Sequence, residues 1–131
     1  LKGLNPEIGD SMNTTEELLG KTTIDPNVIL TIIRMTALRV SGVCRMASGP
    51  AGLDDLVKKY YSDGVKIDVE DHTVYIDLYL VLYRDVDLRA TARKIQKDVQ
   101  RAVEDMVGMS VASVDIHIDD IVIRNNTKET A

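Results

Sequence analysis

The sequence predicts an α+β fold: one domain in the order β-α-β-β-α-β, with two long helices packed on one face of a mainly antiparallel sheet. Three observations carry this. Gly64–Glu70 and Thr73–Tyr83 alternate apolar with polar residues on either side of a short polar break, Asp71-His72, as two half-buried strands of a hairpin do. Leu88–Met106 then changes to the helical period. Val111–Ile123 returns to the strand period. A ferredoxin-like arrangement is the default for this order of elements.

Taken in order, residues 1–20 are polar, carry Pro6 with scattered Gly, Asn and Ser, and read as a flexible arm. The domain is expected over residues 21–123, opening with a short strand at Lys21–Ile24. Asp25-Pro26 is a helix start, with Asp as N-cap and Pro at the first position, where its missing N–H is no loss. Val28, Ile29, Ile32, Ile33, Thr36 and Val40 mark the buried stripe of this helix, and Gly42 ends it. Cys44–Gly52 reads as a loop and Leu53–Tyr61 as a short helix. After the hairpin, Asp87 is placed to cap the second long helix. Leu88, Ala92, Ile95, Val99, Val103 and Met106 share its inner face, and Gly108 closes it. The last strand is expected to bury Ala112, Val114, Ile116 and Ile118. Residues 124–131 read as a frayed tail.

Composition narrows the function classes. With 44% hydrophobic residues but no Phe or Trp, the core must be built from Val, Ile, Leu and Met. The net charge of −5 disfavours nucleic acid, because phosphate neutralisation needs a basic surface. A single cysteine, Cys44, rules out an internal disulfide and fits a reducing compartment. Asp77 and Arg84 interrupt the most hydrophobic stretch, so no direct membrane insertion is expected. The first residues lack the basic and apolar regions of a signal peptide, and the expected location is cytoplasmic.

No catalytic constellation is visible. Cys44 has no base or orienting group placed beside it by the sequence, so catalysis is not expected. Asp115, His117 and Asp119 alternate along one strand, too spread out to share one ion, and neither a metal nor a cofactor is expected. Two surfaces stand out instead as partner-binding candidates. Tyr75, Asp77, Tyr79 and Tyr83 point away from the core on their strand, a tyrosine–carboxylate stripe of the kind enriched at protein interfaces. Arg89, Arg93, Lys97 and Arg101 recur every four residues and form one basic row on the second helix. Such surfaces suit self-association and protein partners. The alternative is a regulatory module that binds a small ligand or nucleic acid.

An ordered set of segments also resembles a known family. It comprises Ile24-Asp25-Pro26-Asn27-Val28-Ile29, Ser41-Gly42-Val43, Gly64-Val65-Lys66-Ile67 and Val74-Tyr75-Ile76-Asp77-Leu78-Tyr79-Leu80. It continues through Ala92, Ile95-Gln96, Val99, Ala102-Val103, Met106, Gly108-Met109, Val111 and Val114-Asp115-Ile116-His117-Ile118. In these residues the chain resembles the alkaline-shock, Gls-type envelope stress response family of bacteria. It departs from the family pattern at Arg84, where Gly is usual, and at Asp115, where Asn is frequent. The resemblance implies a non-enzymatic, cytoplasmic protein of cell-envelope homeostasis. It also implies homo-oligomers and a membrane-anchored protein partner. No catalytic residues come with it.

Overall fold

The spine of the sheet is an eleven-residue strand, Thr73–Tyr83. In the computed structural model, which describes residues 19–49 and 59–124, every other strand but one pairs directly with it. The elements are α1 (Pro26–Arg39), β1 (Val43–Met46), β2 (Lys59–Ser62), β3 (Val65–Glu70), β4 (the spine), α2 (Leu88–Ala102), a π-helical turn (Val103–Val107) and β5 (Ser110–Val122). The α+β class holds, with two helices on one face of the sheet. Three of its four strand pairings are antiparallel. The fourth, β4 with β5, is parallel, and α2 supplies the crossover that a parallel pair requires.

The five strands occupy four lanes, because β3 and β1 share one edge of β4. β3 pairs along its first half, from Glu70 opposite Thr73 to Val65 opposite Leu78. β1 pairs along its second half, with Met46 opposite Leu80 and Val43 opposite Leu82. At the seam the Tyr79 amide donates to the Gly64 carbonyl at 2.8 Å, and the Tyr79 carbonyl accepts from the Ala47 amide at 2.7 Å. β2 lies outside β3, and β5 runs the full length of β4 on the other side.

The N-terminal part of the expected order is corrected. Lys21–Ile24 is exposed and forms no strand; it leads into the Asp25 cap, whose carboxylate accepts from the Asn27 amide at 2.8 Å. The strand lies after α1 instead, at Val43–Met46, within the stretch read as a loop from Cys44. Lys59–Ser62 is a strand rather than the end of a helix, turned into β3 by Asp63 and Gly64, both at positive φ. The remainder of the helix expected over Leu53–Tyr61 lies outside the described residues, as do most of the N-terminal arm and most of the C-terminal tail.

The main core sits between the helices and the sheet. Ile29, Leu30, Ile33 and Ala37 of α1 and Ile95 and Val99 of α2 meet Val74, Ile76, Leu78, Leu80 and Leu82 of β4. Leu30 and Ala37 replace Val28 in the expected stripe, because Val28 lies on the outer side of the helix. Val103 is buried, but the wider π turn rotates Met106 into solvent and Val107 packs in its place. On β5, register shifts opposite Val74/Tyr75 and Leu80/Val81 leave Ala112 and Asp119 as extra residues. Ala112 is therefore exposed, Val111 takes its inner place, and Ile118 is only partly covered.

The outer edge of β5 carries guards. Gln96 Nε2 donates to the Val114 carbonyl at 2.9 Å, and the Asp120 carboxylate accepts from the Ile121 amide at 2.8 Å. The Ile121 amide points away from β4, since the Val122 carbonyl, one residue on, accepts from the Arg84 amide on the β4 side.

Candidate functional site

The face of the sheet opposite the helices is built from the outward positions of β3, β4 and β5. Strand alternation sets Lys66, Asp77 and Asp115 in one row across three strands, and Tyr79 beside His117 in the next. Asp77 is the electrostatic centre. His117 Nε2 lies 2.9 Å from its Oδ1, and Lys66 Nζ lies 3.4 Å from its Oδ2. Asp77 is thus engaged within the molecule, and its two partners, Lys66 and His117, were not singled out with it from the sequence. The signal was their register: both are outward positions on flanking strands.

The tyrosine stripe is interrupted. All three residues point outward, but Tyr79 is only 6% exposed. His117 stacks on its ring at 4.5 Å, and the backbone at Gly49 lies close to the ring, where a Cβ would come within 3.2 Å of it. With Ala47 and Val81 it forms a small second core, bordered by Cys44, Tyr61 and Val122. Tyr83 is covered by the Arg124 guanidinium, 4.0 Å above its ring, and Arg124 is held in turn by Asp85 at 3.1 Å. Tyr75, 40% exposed, is the open member of the stripe. The expectation of a continuous exposed stripe is corrected accordingly, because neighbouring strands and a loop cover two of its members.

Burial pushes the Tyr79 phenol above its ordinary value, with Lys66 opposing the shift. A hydrogen bond with Cys44 is the main influence raising Tyr83. For Tyr79 the consequence is a definite pH dependence. The unfolded chain loses the phenolic proton from about pH 10, while the folded chain still holds it. Its contribution to stability is complete below that pH and declines as pH rises towards the folded value. We expect Tyr79→Phe to flatten the fall of the thermal midpoint above about pH 10, measured by circular dichroism. An equally steep fall in the variant would assign the alkaline loss to other groups.

The second surface lies on the opposite side of the molecule. Thr91, Ile95 and Val99 turn inward on α2, so Arg89, Arg93, Lys97 and Arg101 project outward, all four exposed. Among the described residues none of the four lies within ion-pair distance of a carboxylate, whereas Lys94 pairs with Asp98 at 3.0 Å. The sheet face by contrast exposes Asp115, Asp119 and Asp120. The structure therefore separates the eight predicted residues into two opposed surfaces of opposite charge. Within the first, only Tyr75 is left substantially open.

The model of the ASP23 (alkaline shock protein) family, described as having a cell envelope-related function, matches residues 14–123. The uncharacterized protein YqhY of Bacillus subtilis is 30% identical over 109 residues, spanning 82% of this chain and 81% of that protein. The uncharacterized protein Spy1614 of Streptococcus pyogenes serotype M6 is 27% identical over 114 residues, covering 84% and 92% of the two chains. Among solved structures, a MamM-CTD variant overlaps 73% of this chain and 98% of its own at 14% identity, with a TM-score of 0.47.

Proposed function

Since this chain belongs to the ASP23 family, whose role is cell envelope-related, we propose that it is a non-enzymatic scaffold or adaptor that works by contact. One observation carries the reading: the basic row of α2, unpaired among the described residues, and the carboxylates of the sheet face lie on opposite sides of one molecule. Surfaces of opposite sign on opposite sides suit a head-to-tail contact, in which the row of one copy meets the sheet face of the next. Such heterologous contacts propagate into chains unless the rotation between copies closes a ring. Asp115, Asp119 and Tyr75 are the open groups on the receiving face. Arg89, Arg93, Lys97 and Arg101 are the groups that meet them.

Among the described residues no helix is long and apolar enough to cross a membrane. In this reading the chain works in the cytoplasm and reaches the envelope through a membrane-anchored protein partner. Sedimentation velocity over a wide concentration range, at low and physiological salt, tests the contact. The wild-type mass should grow with concentration and shrink as salt screens the charges. Arg93→Glu combined with Lys97→Glu should weaken that growth and remove its salt dependence, and leave folding stability within about 0.5 kcal/mol, as for other exposed sites. Unchanged growth in the double variant would remove the basic row from the assembly.

A further inference from the structure

α1 has an unusual outer face. Its inner side is buried through Ile29, Leu30, Ile33 and Ala37. At the helical spacing the opposite side takes Val28, Thr31, Met35 and Leu38. Val28 is 47%, Met35 51% and Leu38 42% exposed. The helix has only two charged residues, Arg34 and Arg39, and Arg34 turns aside to Asp63 at 3.7 Å. A surface helix ordinarily gives its outer side to polar residues, as α2 does with its basic row. α1 is apolar on both sides, which is the pattern of a helix covered on both sides.

We propose that the outer face of α1 is the contact surface for α1 of a second copy, packed antiparallel about a two-fold axis. The first observation is spacing. Val28, Thr31, Met35 and Leu38 follow one another at intervals of three, four and three residues, the rhythm of a helix–helix seam. The second is self-complementarity. Turned end for end, the series places Val28 against Leu38 of the second copy and Thr31 against its Met35, so one two-fold satisfies all four positions. The third is charge. The exposed Asp25 carboxylate caps one end of α1 and the exposed Arg39 stands at the other, so the antiparallel arrangement brings each Arg39 towards the Asp25 of the other copy. It also sets the two helix dipoles head to tail.

These features favour a second copy over an anionic lipid surface. An interfacial helix flanks its apolar side with basic residues and carries aromatic anchors. Here the stripe has no aromatic residue, and Asp25 stands at one end of it. The contact is apolar and confined to one helix of 14 residues, so it lies at the small end of interfaces and yields a dimer that forms with rising concentration. It uses neither the basic row nor the sheet face, and it stands whether or not those surfaces meet.

Salt separates the two contacts. In about 1 M salt, where screening acts within roughly 3 Å, charge-guided growth is suppressed and the apolar pair persists. Under those conditions sedimentation velocity should show a monomer–dimer equilibrium for the wild type. Met35→Glu should show only the monomer, with the thermal midpoint retained because the site is exposed. Geometry is read by cross-linking in a Cys44→Ser background. Differently tagged copies carrying Thr31→Cys and Met35→Cys should cross-link when mixed, well above either variant alone. A dimer that survives Met35→Glu, or cross-links favouring like positions, would overturn the proposal. So would a wild type that stays monomeric at high salt yet pellets with phosphatidylserine vesicles in a Met35-dependent way, which would assign the face to lipid.

Discussion

Gly64→Ala should destabilise the fold by about 3 kcal/mol or more, the sum expected for a side chain at positive φ and an overpacked contact. Gly64 has φ +84, and a Cβ there would lie 2.5 Å from the Ala47 carbonyl oxygen, 2.9 Å from Met46 Cβ and 3.0 Å from the Tyr79 carbonyl oxygen. Two of these are backbone atoms, and the hydrogen bond from the Ala47 amide to the Tyr79 carbonyl ties the two segments together, so neither swings aside as a flexible side chain would. The position is the seam at which β3 and β1 meet along β4, and only a residue without a side chain lets both strands use that edge. Gly108 provides the control. Its φ is +82, but nothing lies within 4 Å of its Cβ direction. Gly108→Ala should therefore lose only about 1–2 kcal/mol, the conformational part. Urea unfolding of the two variants measures the difference. Equal losses would mean that the seam relaxes and that the close approach carries no energy.

Leu78→Ala should cost about 2–5 kcal/mol, the range for a large aliphatic side chain removed from a packed core. Leu78 is fully buried on β4, between Val65 on β3 and Ile116 on β5, and faces the helices. Truncation opens a cavity where three strands and the helix layer converge. Val81 faces the other side, in the small cluster with Ala47 and Tyr79. Val81→Ala removes fewer atoms from a thinner layer and should lose appreciably less. The ratio of the two losses, from the same urea titrations, reports how stability divides between the faces. A larger loss at Val81 would make the outer cluster the main support and would contradict the packing described.

The parts legible in the sequence were those whose physics is local. Alternation over Val65–Glu70 and Thr73–Tyr83 found β3 and β4 and assigned their inner faces. Asp25-Pro26 and Asp87 marked the helix starts through side chains that accept from the next turn's amides. β1 and β2 are four residues each, too short for a period to emerge. One local signal for β2 was present: Asp63-Gly64 is a hairpin turn pair, and it argues against a helix running into it. The outward direction of Tyr75, Asp77, Tyr79 and Tyr83 followed from alternation. Their accessibility did not, because His117, Gly49 and Arg124 reach them from distant points in the chain. The π turn and the two bulges each insert a change of phase, and this is why Met106, Ala112 and Ile118 depart from the faces that a regular period assigns them.

The guarded edge of β5 bears on how a protein of this kind tolerates crowding. A scaffold concentrates its own copies, and an open strand edge lined with isoleucines is a template for fibrous, irreversible growth at high concentration. Gln96 and Asp120 occupy a carbonyl and an amide that such growth would need, and the bulge at Asp119 breaks the straight run between them. In the proposed assembly, neighbouring copies would thereby be kept to side-chain contacts, which dilution undoes. Such an assembly would disperse when its concentration falls.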